Sequence, residues 1–194
     1  MATTAIVVVV ALMLLALGFT YTYRLARIES QASSLQTAAD AAALAGAQSI
    51  ISELPTELPM AMMNETTLPG GLGQDAAGLF AGRNNAELVS YQYQPETDSI
   101  ALRVRSVSHL ETGRYEDAIA TARVGLRLTT CVLPEIPPPP PDSSEDPDAP
   151  ATVSGTATCG ELSVPVTITV ATGAVTLDIS DDELKARFTA ALKA

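Results

Sequence analysis

The sequence has no Trp, one His, two Cys and only 4% aromatic residues over 194 positions. A single imidazole, His109, and two thiols cannot furnish a histidine-rich metal centre or a zinc ribbon. The same shortage removes imidazole-based catalysis, since His109 sits among Ser and Arg with nothing to orient it as a base. Few aromatics disfavour a large ligand pocket or a base-stacking platform. Cations are scarce as well: 11 Lys plus Arg stand against 22 Asp plus Glu, a net charge of −11. A phosphate backbone would be repelled, which excludes nucleic acid as a partner. No phosphate-cradling glycine loop, nucleophile elbow or helical pair of metal ligands is present. Asp178, Asp181 and Asp182 fit a strand end and a helix start better than paired acid–base chemistry. These absences lead us to expect a protein that is not an enzyme, with no cofactor and no metal.

What the chain does have begins at its first residues. Ala2 to Tyr23 carries no charge, and IVVVVALMLLAL (6–17) is almost wholly aliphatic. As a helix those residues would rise about 33 Å, enough for a hydrocarbon core of roughly 30 Å. Tyr21, Tyr23, Arg24 and Arg27 follow as an aromatic and cationic boundary. A cleaved signal peptide would show n-region charge and a small-x-small cleavage site, and neither is present. Residues 1–23 are therefore expected to be a membrane anchor in contact with lipid. Arg24 and Arg27 alone would draw the following chain to the cytoplasm. The isolated pair Cys131 and Cys159 suits an oxidising exterior. The expectation is a single-pass protein with residues 24–194 outside the cell membrane.

The helical pattern continues past the anchor. Leu25, Ile28, Ala32, Leu35, Ala39, Ala42 and Gly46 recur at three- and four-residue steps and share one stripe. Half of residues 32–47 are Ala, and the first proline is Pro55, so a single helix is expected to about Ser52. Small residues let another backbone come close. The stripe can cover the chain's own sheet, pack against copies and partners in an assembly, or do both.

The run LARIESQASSLQTAADAAALAGAQ (25–48) resembles the segment after the membrane span in the TadE/TadG-like proteins of Tad (Flp) pilus assembly. Leu35, Gln36, Ala38 to Ala45, Gly46 and Ala47 reproduce the family's LQ-x-AADAAALAGA pattern. The resemblance implies a minor pilin or pseudopilin acting through helix packing. The implied partners are other pilus or pseudopilus subunits, the assembly platform and, where a leader is cleaved, a prepilin peptidase. Ala5 and Ile6 occupy the region where type IV pilin subunits carry a glutamate, which argues against the main polymerising pilin. The reading from a different class is a single-span surface protein whose β domain binds an external ligand or protein.

The rest of the chain reads as α+β. Residues 24–52 are the extramembrane part of the N-terminal helix. Residues 53–131 hold an irregular Pro- and Gly-rich connection (53–73), a short helix from Asp75 to Asn84, and an antiparallel β-meander. In its first strand Val89, Tyr91 and Tyr93 alternate with Leu88, Ser90 and Gln92. After a turn at Pro95–Asp98, Ile100, Leu102 and Val104 form the second. Ala118, Ala120, Ala122, Val124, Leu126 and Leu128 form the third. A long helix on such a meander is the pilin-like architecture. Residues 132–150 are a Pro-rich acidic linker expected to be a solvated spacer. Its carboxylates lack calcium-loop spacing. A Cys131–Cys159 bridge would tie its two ends at a gain of roughly 3 kcal/mol. Residues 151–194 are expected to give a hairpin (162–170 with 175–179), with Pro165 at an edge or bulge. A helix capped by Ser180 and Glu183 should then run to Lys193.

Overall fold

The computed structural model describes residues 2–109, 114–135 and 151–193, with the side chains of 2–12 and 21–31 outside the description. The chain opens with one helix, α1 (Ala2–Met63). Helix α2 (Gln74–Arg83) and strands β1 (Ala86–Gln94), β2 (Ser99–Ser106) and β3 (Asp117–Arg123) follow. The last part holds β4 (Thr152–Cys159), β5 (Leu162–Thr169), β6 (Ala174–Leu177), α3 (Asp181–Lys185) and β7 (Ala191–Leu192). Two antiparallel sheets form, ordered β1-β2-β3-β7 and β4-β5-β6. The expected α+β class with antiparallel sheets is what the chain adopts.

α1 runs eleven residues beyond the expected Ser52 and absorbs Pro55 and Pro59. Each proline deletes a helical hydrogen bond, at a cost of about 3 kcal/mol in a helix interior. Leu54, Leu58 and Met62 repeat at four-residue steps, and each is at most 1% exposed. Burying three such side chains returns about 5–9 kcal/mol, so packing overrides the prolines. The helix ends in a Schellman motif: Glu65 takes φ 52°, with Glu65 N–H donating to Met62 O and Thr66 N–H to Ala61 O. Only Thr66–Gly73 of the predicted connection is irregular.

From Ala38 to Ala47 no residue of α1 is exposed, because α2 packs on one side and the sheets on others. Alanine makes this fit. At the closest approach a Cβ on Gly73 (φ 81°) would lie 2.4 Å from the Gly46 carbonyl oxygen. Larger residues at this crossing would hold the two backbones apart.

The meander departs from strict alternation twice. The β1–β2 register slips between Leu88 and Ser90, so Val89 bulges outward while Ala86, Leu88, Tyr91 and Tyr93 turn in. β3 stops at Arg123 instead of continuing to Leu128, because Gly125 takes φ 104°. Asp98 accepts from the N–H groups of Val124 (2.7 Å) and Gly125 and holds this corner. Val124 and Leu128 remain buried as expected, but as corner residues and not as ladder residues.

The C-terminal part differs most from expectation. The hairpin β5–β6 forms, but β4 adds a third strand that the Ser/Thr/Ala-rich run 152–159 hardly signals. β5 is thereby central, and Pro165 sits in it. Pro165 lies beyond the last paired residue of β6, and its carbonyl accepts from Asp178 N–H. The missing donor faces that same side, past the end of β6, so the β4–β5 ladder loses no bond. Ser180 caps α3 through Glu183 N–H, as expected, yet the helix ends at Lys185. Leu184 and Phe188 insert into the core, and Ala191–Leu192 pair with β3. This last strand docks the C-terminus on the first sheet. The predicted linker is described only to Glu135, where Val132 bridges to Thr158; residues 136–150 lie outside the description.

Candidate functional site

Among the described residues no helix is long and apolar enough to cross a membrane. Most of the expected anchor, residues 1–12 and 21–23, falls on side chains outside the description. Its described middle is unusual for a folded chain. Met13, Leu14, Leu15, Leu17 and Phe19 are 63–73% exposed on successive faces of α1. Water-facing helices keep such side chains on one stripe against a core. Here the described circumference is apolar and these side chains stay largely exposed among the described residues.

The predicted packing stripe meets a different fate. Leu35, Ala39, Ala42 and Gly46 are buried within the chain itself, Ala39 and Ala42 completely. Leu35, Ala39 and Ala42 belong to the same core as Tyr93, Ile100, Leu102 and Val104 of the sheet. A fully covered side chain has no surface left for a partner, so over these residues the contact is intramolecular. Ala32 is half-buried, and Leu25 and Ile28 lie outside the described side chains. Covering the chain's own sheet accounts for Leu35, Ala39, Ala42 and Gly46.

Cys131 and Cys159 are joined, with Cα atoms 4.1 Å apart. The bridge sits in a junction between the two sheets. Glu161 N–H donates to Arg127 O, Arg127 N–H to the Glu161 carboxylate, and Val132 exchanges two bonds with Thr158. Gly160 (φ 66°) makes the turn, where a Cβ would stand 2.6 Å from Arg127 O.

Where α1 leaves the folded unit, a cleft of about 560 Å³ opens between Leu35, the end of α2 and the ends of β2 and β3. Arg83, Asn84 and Asn85 line one wall, and Ser106, Ser108 and Glu116 another. The sequence gives no sign of this cleft, since its residues are scattered and form no motif. Arg105 and Asp117, paired across β2 and β3 at 2.8 Å, stand nearby. The hydrogen bond from Arg105 holds the Asp117 carboxyl below the usual carboxylate range. His109, the only imidazole, stacks on Tyr115 with centroids 4.1 Å apart, and both are exposed. Among the described residues no group of three or more His, Cys, Asp or Glu could hold a metal ion.

Two phenols lie deep in the first sheet. Tyr91 donates to Leu72 O at 2.7 Å, whereas the Tyr93 hydroxyl has no partner. Burial pushes both well above the ordinary tyrosine range, with Glu53 adding to the effect at Tyr91 and Asp98 at Tyr93.

No curated protein and no solved structure matches this chain. The N-terminal part is matched: residues 1–49 fit the family model described as putative Flp pilus-assembly TadE/G-like. That segment holds the exposed apolar stretch of α1 and the Ala-rich run buried against the sheet, and over these 49 residues the chain is similar to the TadE/G-like family.

Proposed function

We propose that the protein is a non-enzymatic, membrane-anchored minor pilin or pseudopilin-like subunit of a Tad (Flp) pilus assembly or a related secretion system. Its bulk lies outside the cytoplasmic membrane. The observation that carries this reading is a coincidence in position: the family match ends at residue 49, within the same helix that presents exposed large apolar side chains between Met13 and Phe19. Exposed large apolar surface of this kind is costly in water and marks a membrane or protein contact. The partners are lipid together with other pilus subunits and the assembly platform. Because the chain's own sheet takes up Leu35, Ala39, Ala42 and Gly46, the intermolecular helix packing belongs to the segment before Ala32. The disulfide favours an oxidising compartment for the folded part.

The test uses the full chain, tagged at its C-terminus, in cells that carry a Tad pilus. Leu14→Asn with Leu17→Asn alters two exposed positions and leaves the core alone. The expected result is normal folding of the purified protein with loss of membrane fractionation and of co-purified pilus components. Unchanged pilus assembly in cells lacking the protein altogether would overturn the pilus reading. Unchanged membrane fractionation of the double variant would overturn the anchor.

A further inference from the structure

We propose that the outer face of the first sheet docks a second copy of this chain, with its arginines and lysine received by that copy's acidic cleft between α1 and the start of α2. This deepens the assembly reading above by naming the faces that meet, and it rests on that reading for the shared direction of the helices.

The register of the sheet places the cations. On β2 and β3, Ile100, Leu102, Val104, Ala120 and Ala122 turn to the core, so Arg103, Arg105, Ile119 and Arg123 turn outward. Arg103 stands opposite Ile119, and Arg105 opposite Asp117. Just past β7, Lys193 N–H donates to Thr121 O, which sets Lys193 beside Thr121 on the same face. Arg105 is paired with Asp117, whereas Arg103, Arg123 and Lys193 are exposed and have no ion pair among the described residues. Four cations stand here against two carboxylates, Glu87 and Asp117, in a chain where carboxylates outnumber cations 22 to 11. This face is the exception to the charge of the molecule.

Its complement lies on the other side of the sheet. α1 and α2 pack on the inner face, and Glu53, Glu57 and Asp75 line a cleft of about 410 Å³ between them, with no cation in its lining. Each patch has an exposed apolar side chain at its margin: Ile119 (65%) beside Arg103, and Met60 (55%) one turn past Glu57. Opposite charges around a small apolar contact fix both partner and register.

A two-fold axis would set the cationic face on itself, so the two patches meet only head to tail. Such a contact leaves a free face on one copy and a free cleft on the other, and a further copy can add. The Gln36 side chain reaches Ile119 O, so Ile119 lies level with Gln36 along α1. β3 carries Arg123 about 13 Å further along. Glu53 lies about 26 Å beyond Gln36 on the helix. Parallel copies in one membrane therefore meet with an axial step of roughly 12 Å.

Lys185 and Lys193 are the only lysines, so zero-length carbodiimide cross-linking of an ammonium to a carboxylate has few starting points. The full chain is prepared in heavy- and light-isotope forms, mixed, reconstituted in phosphatidylcholine vesicles and cross-linked. A peptide pair with one heavy and one light member marks a bond between copies. We expect Lys193 to be joined in such pairs to Glu53, Glu57 or Asp75. Arg103→Glu with Arg123→Glu should cut the Lys193–Glu53 yield at least fivefold, and Glu57→Lys with Asp75→Lys should do the same. Mixing one double variant with the other should restore at least half of it, because the reversed face then meets a reversed cleft. Mixed pairs in wild-type protein that omit Lys193, or join it to carboxylates elsewhere, overturn the proposal without any variant. Loss in both variants with no recovery in their mixture overturns it as well, as does a yield that ignores the reversals. The pilus reading answers to deletion of the protein, so pili lost on deletion with no Lys193 link between copies leave that reading standing and remove this one.

Discussion

Tyr93 is 2% exposed and keeps a hydroxyl with no hydrogen-bond partner, while its neighbour on the same face, Tyr91, is bonded to Leu72 O. The two residues should answer oppositely to loss of that oxygen. Tyr93→Phe removes a buried, unsatisfied group and is expected to be neutral or to stabilise by up to about 2 kcal/mol. Tyr91→Phe breaks a made bond and is expected to cost about 1 kcal/mol. Both phenols have folded pKa values raised above 10.0, so the unfolded chain ionises first as pH rises. Their contribution is therefore complete below pH 10 and is lost above it, and Tyr93→Phe should soften that alkaline loss. Urea midpoints at pH 7 and pH 11 check all three points. The small residues of α1 make a second residue-scale case. Ala42 is fully buried, and a Cβ on Gly46 would come 3.1 Å from the Tyr91 ring. Ala42→Leu is expected to destabilise the isolated chain by about 1–3 kcal/mol or to prevent folding, through overpacking. Gly73→Ala should cost more than Gly46→Ala, having both positive φ and the closer clash. If Ala42→Leu left the thermal midpoint of the purified protein unchanged, the packing described for α1 would be wrong.

Among the elements, α1 shows where local propensity yields. Pro55 and Pro59 signal a helix end, and that signal loses to the burial of Leu54, Leu58 and Met62. β1 shows the reverse limit of pattern reading. Period-two alternation groups Val89 with Tyr91 and Tyr93, but a one-residue bulge moves Val89 out and Leu88 in. The alternation of Leu162, Val164, Val166 and Ile168 is strict, and β5 follows it residue by residue. β4 offers only Ala157 and Cys159 as fully buried positions, so its sequence scarcely differs from a loop. The disulfide joins the end of β4 to the stretch after the first sheet, closing 28 residues. Reduction is expected to lower unfolding free energy by roughly 3–4 kcal/mol on loop entropy. Urea unfolding with and without reductant measures this. Because the Arg127–Glu161 and Val132–Thr158 bonds span the same junction, the reduced chain should stay folded in the absence of denaturant.

Across the whole molecule, the long helix is both core element and stalk. Its second half is enclosed by α2 and the sheets, and earlier along it large apolar side chains from Met13 to Phe19 are exposed. At the other end of α1, Glu53, Glu57 and Asp75 gather near the start of α2. The end where α1 leaves the folded unit holds the cleft, with Arg83 and Glu116 on its walls.

The sequence by itself determined the elements whose signal is local. Aliphatic continuity marked the first stretch of α1, and alanine density its enclosed part. Period-two alternation marked β2 and β5, and Ser180 with Glu183 marked the start of α3. The run 25–48, placed just past the apolar stretch, also carried the TadE/G-like resemblance. The tertiary structure decided what depends on neighbours distant in the chain. It carried α1 through two prolines, ended β3 at an aspartate-held corner, and cut α3 short so that Ala191–Leu192 could pair with β3. It also turned the Ala/Gly stripe inward and assembled a cleft from four separate segments. In each case the deciding energy comes from burial or pairing between residues far apart in sequence, and no local pattern records that.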